Sequence, residues 1–519
     1  MASAPSSRRL SWAAAFAASL LGLCLAAAAG DLAAPPLEQP VDACGPDAES
    51  CGTFDVSSAL QLRRGPAELS DGAELSEGAE PSENISRRIL YDFVQQYDDI
   101  GETRLTGTPS DKATSAWIRE RLEEAGLSVE LQPYAIPGGP LWVPSGEGSE
   151  YSDYGCHLKL DHKRVPCYVV QSPPAKPVAL TNVSMARVLV VDKMSGYELE
   201  SAQDLLSQHV DAQGNLPYDV AFVVQKYDEP VPFTWKQKGM VPSVIPVVTV
   251  PAKFRHLMCN GSIVTSLTLS GRWHTNATSH NVIATLPSFA PAACNATLAA
   301  PLPFYLGTPF NCFEASDCAP HRAAGVAVLM AVARDLASNP VQCQKDGSAE
   351  HRCMMPVFGF SSGHDMGDPG ITDGILPYLE KLASRLEVSL SEVVYVSLGA
   401  SLGNRALKNG TQSSVLPLLA QSFPNGHNIS TAMSAFQGTV CSDSVSGLST
   451  GCSQPAAVIG AARSPLKAGM MVLNLVSYFD KTFHYPWQQG IQRLDFYQLQ
   501  RIARITSKAL RAAICSGVR

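Results

Sequence analysis

Several features are scarce or absent in this chain of 519 residues, and each absence excludes a class of protein. There is no pair of cysteines in the C-x-x-C spacing, which disfavours a zinc ribbon. There is no surplus of basic residues, because the net charge is −8 and the Lys and Arg residues are scattered, so we expect no nucleic-acid partner. Only the N-terminus has an apolar run of about 20 residues, so we expect no second membrane-spanning segment.

The N-terminal segment has the pattern of a secretory signal. Arg8 and Arg9 precede an apolar run over residues 10–29. Small residues suited to cleavage lie at the end of this run, at 26–30. We therefore predict a cleaved signal peptide at 1–30 and a protein that is secreted or lies in the lumen of the secretory pathway. An uncleaved anchor is the alternative, and only then do we expect contact with a membrane.

Cysteines and glycosylation motifs agree with export. Thirteen cysteines remain after the signal, several of them in close pairs, as is common in an oxidising compartment. The candidate pairs are Cys44–Cys51, Cys156–Cys167, Cys343–Cys353 and Cys441–Cys452, although spacing alone does not fix connectivity. The odd total leaves at least one cysteine for an intermolecular bond, with Cys515 or Cys259 as candidates. Candidate glycosylation sites are Asn84, Asn182, Asn260, Asn276, Asn295, Asn409 and Asn428.

The order of elements predicts an α/β protein with an insertion. Residues 31–85 are rich in Pro and acidic residues and are predicted to be a disordered arm. Helices at 89–97 and 113–125, the second capped by Ser110 or Asp111, and a strand at 128–136 begin the main domain (86–135). Short β-like runs over 136–274 predict a small β-rich inserted domain. The main domain then resumes over 275–519.

Strands and helices alternate in this last part of the chain. The predicted strands are 281–286, 302–306, 355–360 and 392–398, with a further short strand within 451–461, and the predicted helices are 322–337, 373–387, 464–479 and 495–513. Such alternation with apolar strands predicts a mixed, mainly parallel sheet covered by helices on both faces.

Several segments resemble the M28 family of zinc exopeptidases, in particular secreted members of the plasma glutamate carboxypeptidase type. The segments are ETRLTGTPSDKATSAWIRERLEEAGLSVELQPY, RVLVVDK, DVAFVVQKYD, IPVVTVPAK, HNVIATLP and SDSVSGLSTGCSQPAAVIG. They occur in the family's order after residue 86. The resemblance implies a catalytic domain interrupted by a protease-associated (PA) domain, which would correspond to the β-rich insertion.

The same resemblance implies five ligand positions for two zinc ions, and two of the five hold residues that cannot ligate through a side chain. Pro309 lies where the family has its first His ligand, in GTPFN, and Gly399 lies where it has an Asp after a strand. A proline or glycine side chain offers no lone pair to zinc. Asn311 takes the place of the Asp in the same family motif.

The remaining positions hold polar residues of the wrong type. His321 replaces the bridging Asp, His364 and Asp365 replace the adjacent base and ligand glutamates, and His484, or Tyr485, takes the last His position. Loss of the general base alone typically lowers the rate about 10²–10⁴-fold. We therefore expect a pseudopeptidase without a cofactor that binds a protein or peptide ligand.

Two alternatives stay open. One is an active metallo-exopeptidase, an aminopeptidase or carboxypeptidase, whose rebuilt site holds a single zinc through His321, Asp365 and His484, with His364 as a substitute base. The other is a structural subunit of a larger assembly, joined through the odd cysteine.

Overall fold

The structure is a computed structural model, and it describes part of the chain. The described residues are 85–101, 106–136, 141–144, 155–169, 174, 176–193, 202–225, 243–259, 261–274, 277–287, 301–311, 319–341, 354–364, 368–399, 402–403, 405–408, 411–414, 417–422, 431–442, 460–477 and 490–516. The predicted signal and nearly all of the predicted arm lie outside them. None of the helices in this part of the chain is long and apolar enough to cross a membrane.

Helices and strands alternate over much of the described chain. The strands are β1 (Ser128–Ala135), β2 (Leu141–Pro144), β3 (Cys156–Leu160), β4 (Lys163–Val165), β5 (Tyr168–Val169), β6 (Val178–Ser184), β7 (Val188–Lys193), β8 (Val220–Gln225), β9 (Val247–Pro251), β10 (Ile263–Leu269), β11 (Gly271–His274), β12 (Thr278–Thr285), β13 (Leu302–Pro309), β14 (Met354–Ser361), β15 (Val394–Leu398), β16 (Arg405–Lys408), β17 (Thr411–Ser414), β18 (Pro417–Ser422) and β19 (Met471–Ser477). The α-helices are α1 (Arg87–Asp99), α2 (Pro109–Glu124), α3 (Ala202–Ser207), α4 (Ala324–Ser338), α5 (Leu376–Arg385), α6 (Thr431–Ser442), α7 (Arg463–Lys467) and α8 (Phe496–Ser516).

A seven-stranded sheet forms the centre of the main domain, in the order β1-β12-β14-β13-β15-β19-β18. The four inner strands β14, β13, β15 and β19 are mutually parallel, whereas β1, β12 and β18 pair antiparallel. This confirms the predicted mixed, mainly parallel α/β sheet.

Helices cover both faces of the sheet because its inner strands are apolar on both sides. Every residue of β13 is buried. Phe304 and Leu306 face a large core shared with helices α1, α2, α4, α6 and α8, whereas Tyr305 faces a second core that includes α5. Such continuous apolar runs are expected of parallel strands buried on two faces.

Between β1 and β12 the chain forms two four-stranded sheets and a two-stranded sheet in which β11 pairs with β2. Strands β4-β3-β10-β6 make one four-stranded sheet, β5-β9-β8-β7 make the other, and residues of both, such as Val264 and Phe222, share a hydrophobic cluster. The chain between β1 and β12 is thus rich in strands, in agreement with the predicted texture. Its identity as a PA domain and the exact domain boundaries stay predictions.

Two local predictions were wrong. The helix predicted at 464–479 ends at Lys467, and residues 471–477 form β19 instead. Gly469, at φ +88°, is in the left-handed region that ends helices, and the apolar run after it pairs with β15 and β18. Helix α2 is capped by Thr108, whose hydroxyl accepts from the Asp111 N–H at 3.3 Å, and not by Ser110 or Asp111.

Candidate functional site

The candidate site lies at the carboxyl edge of the inner parallel strands. β13 and β14 run in register and end side by side at Pro309 and Ser361, and the Phe310 N–H donates to the Ser361 carbonyl oxygen at 2.9 Å. In open α/β sheets this edge is where ligands bind, because the loops that leave the strands converge there. The loops after these strands carry Asn311 and His364.

Pro309, at the first implied ligand position, is buried as the last residue of β13. Two residues later, the buried Asn311 uses its amide to hold two loops together. Its Nδ2 donates to Thr106 Oγ1 at 3.2 Å, and its Oδ1 accepts from the His364 N–H at 3.2 Å. Its carbonyl oxygen accepts from Arg322 Nε at 2.9 Å. The Asn311 side chain is therefore engaged within the protein.

Gly399, at the second implied ligand position, lies against the neighbouring strand. Its N–H donates to the Leu475 carbonyl oxygen at 2.7 Å. A Cβ atom added at Gly399 would lie 2.1 Å from Cγ1 of Val476 and 3.3 Å from Oδ1 of Asn474. A van der Waals contact between carbons needs about 3.5–4 Å. The space that a ligating side chain would enter is therefore filled by β19.

His364 is paired with a carboxylate that the sequence did not indicate. Its Nδ1 makes a short hydrogen bond with Oδ1 of Asp368, and the two residues are 7% and 9% exposed. A carboxylate bound to one ring nitrogen fixes the ring and directs the other nitrogen outward. Asp368 lies four residues after His364, in HDMGD, and this acidic spacing is the signal that could have identified it.

Two stacked tyrosines are buried near the Asp368 carboxylate. The rings of Tyr305 and Tyr395 are 4.7 Å apart between centroids. Burial raises the pKa of Tyr395, and the nearby charge of Asp368 raises it further. The Asp368 charge therefore acts on the buried tyrosine pair.

Asp111 is a second buried carboxyl, which the sequence pattern indicates only as a candidate helix cap. It accepts from Ser279 Oγ, from the Gly107 N–H at 2.8 Å and from Ser362 Oγ at 2.7 Å. Burial raises the pKa of Asp111 to about 6, although these three hydrogen bonds oppose the shift. Asp111 thus joins α2, β12 and the loop after β14.

Asn281 on β12 joins the same loop to the segment that follows it. Its Oδ1 accepts from the Ser362 N–H at 3.1 Å, and its Nδ2 donates to the Gly370 carbonyl at 2.7 Å and to Gln132 Oε1 at 3.1 Å. The loop that carries His364 is therefore held at both ends by buried side chains.

Other predicted site residues fall outside the described part of the chain. The backbone of His321 lies in a π-helical turn at Ala319–Ala323, but its side chain, Asp365 and His484 are not among the described residues. Among the residues that are described, no three His, Cys, Asp or Glu side chains are grouped as a metal site would require. Their convergence stays a prediction.

A G-x-S-x-G pattern at residues 447–451 also lies outside the described residues. In serine hydrolases this pattern has meaning on a sharp turn from a strand to a helix. The described element before it is helix α6, which ends at Ser442. The pattern alone carries no assignment.

The zinc centre of the family can be tested against the two described positions. Pro309 has no donor atom, and Gly399 has no side chain and no room for one. Two nearby polar residues, Asn311 and His364, make hydrogen bonds to groups within the protein. The residues that are described therefore do not fit the two-zinc arrangement.

One predicted disulfide is confirmed. Cys156 and Cys167 are bonded, with Cα atoms 5.7 Å apart. Cys441 and Cys259 are also in disulfide bonds, with partners outside the described residues, so the suggestion that Cys259 is the odd cysteine was wrong. The pairs Cys44–Cys51 and Cys343–Cys353, and Cys452, lie outside the described residues.

Of the seven glycosylation candidates, Asn182 is among the described residues. It is exposed on the edge strand β6 at φ +53°. Such an exposed edge position is accessible to modification, and glycosylation there stays a prediction.

Comparisons with known proteins agree on the fold. No protein-family model matches the sequence, and no curated protein sequence matches it either. Solved structures do match. A zinc aminopeptidase from Bacillus subtilis is 16% identical with a TM-score of 0.55, and the match covers 84% of this chain and 98% of that one.

Two further structures give similar values. An aminopeptidase from Aneurinibacillus sp. strain AM-1 is 16% identical with a TM-score of 0.54, over 84% of this chain and 96% of that chain. A peptidase M28 precursor from Shewanella amazonensis SB2B is 13% identical with a TM-score of 0.55, over 83% and 93%. At these identities the likeness concerns the fold. The chain therefore has the fold of the M28 zinc aminopeptidases.

Proposed function

We propose that this chain is an exported, glycosylated pseudopeptidase, an M28-like protein that binds a peptide or protein segment at the carboxyl edge of its sheet without hydrolysing it. The observation that carries the proposal is the packing at Gly399. Val476 fills the space of the implied ligand, so this ligand position is closed by the fold and also lacks a side chain.

The buried contacts of the site support the same proposal. Asn311 and Asp368 bind His364, and Ser362 binds Asp111, so these polar groups stabilise the loops after β13 and β14. When the loops stay in place and only the metal-ligating side chains are lost, the edge of the sheet keeps its shape. A peptide can still bind there. The signal sequence, the bonded cysteines and the sequons support export.

Catalysis is tested with the full chain, purified from a secretory host. A panel of fluorogenic aminoacyl and dipeptide substrates is assayed with and without a metal chelator, beside the Bacillus subtilis zinc aminopeptidase as the active control. We expect no chelator-sensitive cleavage above background. Cleavage that the chelator abolishes, and that is also lost in His364→Ala, would contradict the proposal.

Binding is tested separately with a library of peptides that carry a photoreactive group. We expect cross-links in the segments 309–311 and 361–364, identified by mass spectrometry, and their loss in competition with unlabelled library. Labelling spread over the surface without competition would show that the edge is not a binding site.

A single-zinc exopeptidase is the second candidate function, and the His364–Asp368 pair favours it. A carboxylate that orients an imidazole is the usual support of a metal-bound or proton-transferring histidine. This function requires His321, Asp365 and His484 to converge, with zinc as the cofactor. Zinc-dependent cleavage that survives Gly399→Ala but is lost in Asp365→Ala would favour it over the pseudopeptidase.

A structural role in a larger assembly remains a third prediction, now dependent on a cysteine other than Cys259. Non-reducing gels of the wild type and of Cys515→Ser test it directly. A disulfide-linked species present in the first and absent in the second is the expected result.

A further inference from the structure

Helix α8 presents a basic stripe to solvent. Tyr497, Arg501, Arg504 and Lys508 follow one another at intervals of four, three and four residues, which places them on one side of the helix. Tyr497 is 44% exposed, Arg504 and Lys508 are exposed, and the Arg501 guanidinium lies 5.4 Å from the centre of the Tyr497 ring. The helix contains no Asp or Glu.

The charges of this stripe are not neutralised within the described part of the chain. A fourth basic residue, Arg511, pairs with Asp335 at 2.9 Å, but Arg501, Arg504 and Lys508 have no ion pair among the described residues. The Nη2 atom of Arg501 is buried and has no hydrogen-bond acceptor there. Burial lowers the pKa of Arg504, and the positive charge of Arg87 lowers it further. The stripe therefore favours an acidic occupant.

The described chain begins beside this stripe. Gln500 Nε2 donates to the carbonyl oxygen of Ile85 at 2.9 Å, and Ile85 is only 2% exposed. The chain before Ile85 thus leaves the described part of the structure next to Arg501 and Arg504.

The segment that precedes Ile85 is acidic at a regular spacing. Residues 67–84 contain no Lys or Arg and have an acidic residue at every third position. These residues are Glu68, Asp71, Glu74, Glu77, Glu80 and Glu83. In an extended chain with three residues per turn, side chains three apart lie on one side, about 9 Å from each other.

The two spacings match. Arg501 and Lys508 are seven residues apart on a helix, which corresponds to about 10 Å along its axis. We propose that the acidic segment 67–84 of the same chain binds along the basic stripe of α8, with successive acidic residues beside Arg501–Arg504 and Lys508. The occupant is the chain itself because the stripe lies where this segment enters the fold.

Limited proteolysis of the full chain by a glutamyl endopeptidase tests the docking. We expect cleavage within 67–84 to be about five- to thirtyfold slower at low salt than at 0.5 M salt, because exposed ion pairs are weak and screened by salt. The variant Arg501→Gln/Arg504→Gln/Lys508→Gln should be cleaved at low salt as fast as the wild type is at high salt. The matched control Lys381→Gln/Arg385→Gln/Lys467→Gln, which removes three exposed basic residues elsewhere, should behave as the wild type. Equal cleavage rates in all three proteins would overturn the proposal.

A zero-length carbodiimide cross-link identifies the occupant. We expect an amide between Lys508 and a carboxyl group of residues 67–84 at low salt, and its loss when those six acidic residues are changed to Gln or Asn. Changing the six acidic residues of 31–66 instead should leave the cross-link intact. In a mixture with isotope-labelled chain, a cross-link that joins labelled to unlabelled protein would show that a second copy is the occupant, which would contradict docking within one chain. Binding of the wild type to anionic vesicles through the stripe, with no cross-link, would contradict it as well.

Discussion

At the scale of single residues, Gly399 decides how the candidate site is interpreted. The sequence could identify this position because Gly399 directly follows a predicted strand, where the family has an Asp ligand. The sequence could not show that Val476 fills the space beside it, because Val476 lies on a strand 77 residues later in the chain. Gly399 therefore lacks a ligating side chain and also packs closely against Val476.

The packing at Gly399 makes a testable prediction. Gly399→Ala should lower the free energy of unfolding by about 1–3 kcal/mol, because the new methyl group overlaps Val476. Denaturant unfolding measures the loss. Gly438→Ala is the matched control: it is exposed in α6 with nothing within 4 Å, and should stabilise by about 0.5–1 kcal/mol. Adding Val476→Ala should recover part of the loss at Gly399, and an absence of any recovery would contradict the assigned contact.

Asp111 predicts a dependence of stability on pH. Its pKa is raised from 3.8 to about 6 in the folded protein, so the folded state binds the proton more tightly than the unfolded state. The contribution is complete below pH 3.8 and is lost as the pH rises to 6, by on the order of 2–3 kcal/mol. Asp111→Asn keeps an acceptor for Gly107 and Ser279 and should remove this dependence.

The comparison is made by denaturant unfolding of both proteins between pH 4 and pH 7. We expect the wild type to lose stability relative to Asp111→Asn as the pH rises through this range. A difference between the two proteins that does not change with pH would show that Asp111 has an ordinary pKa.

At the scale of elements, the loop after β14 depends on side chains from other strands. Asn281 binds it at Ser362 and Gly370, and Asp111 binds it at Ser362. No sequence pattern links these positions, since the donors and acceptors are about 80 to 250 residues apart and meet only after folding. The order of strands and helices, in contrast, was predictable because the spacing of apolar residues within each segment indicates its type.

Asn281→Ala should therefore be more harmful than an ordinary Asn→Ala change. It leaves the Ser362 N–H and the Gly370 carbonyl buried without their partner, at a cost of about 3 kcal/mol in unfolding free energy. Asn339→Ala is the control, because Asn339 makes one side-chain hydrogen bond, to Asp335 at the end of α4, and should cost about 1 kcal/mol. Equal losses in denaturant unfolding would contradict the role given to Asn281.

The wrong helix at 464–479 has an instructive cause. Residues 470–476 are an apolar run of a length that suits either a buried strand or part of a buried helix, and period alone does not separate the two. Gly469 was the local signal for a break. The run forms β19 because it pairs with β15 on one side and with β18 on the other.

At the scale of the whole molecule, the fold is that of the M28 aminopeptidases, whereas Pro309 and Gly399 occupy two of the implied zinc-ligand positions. The sheet order, the burial of both faces and the matches to bacterial aminopeptidases show a preserved M28-like architecture. The sequence resemblance predicted this architecture because order and spacing persist at low identity. The pairing of His364 with Asp368 and the filled space at Gly399 required coordinates, since they depend on side-chain placement.

A measurement of the zinc content tests most directly the central claim that this chain does not hold the family's zinc ions. The purified full chain is equilibrated with zinc, dialysed, and analysed for zinc per polypeptide beside the Bacillus subtilis zinc aminopeptidase. We predict no stoichiometric zinc in the wild type, and none in Pro309→His/Gly399→Asp, because Val476 blocks the restored side chain. One or two tightly bound zinc ions per wild-type chain would contradict the account.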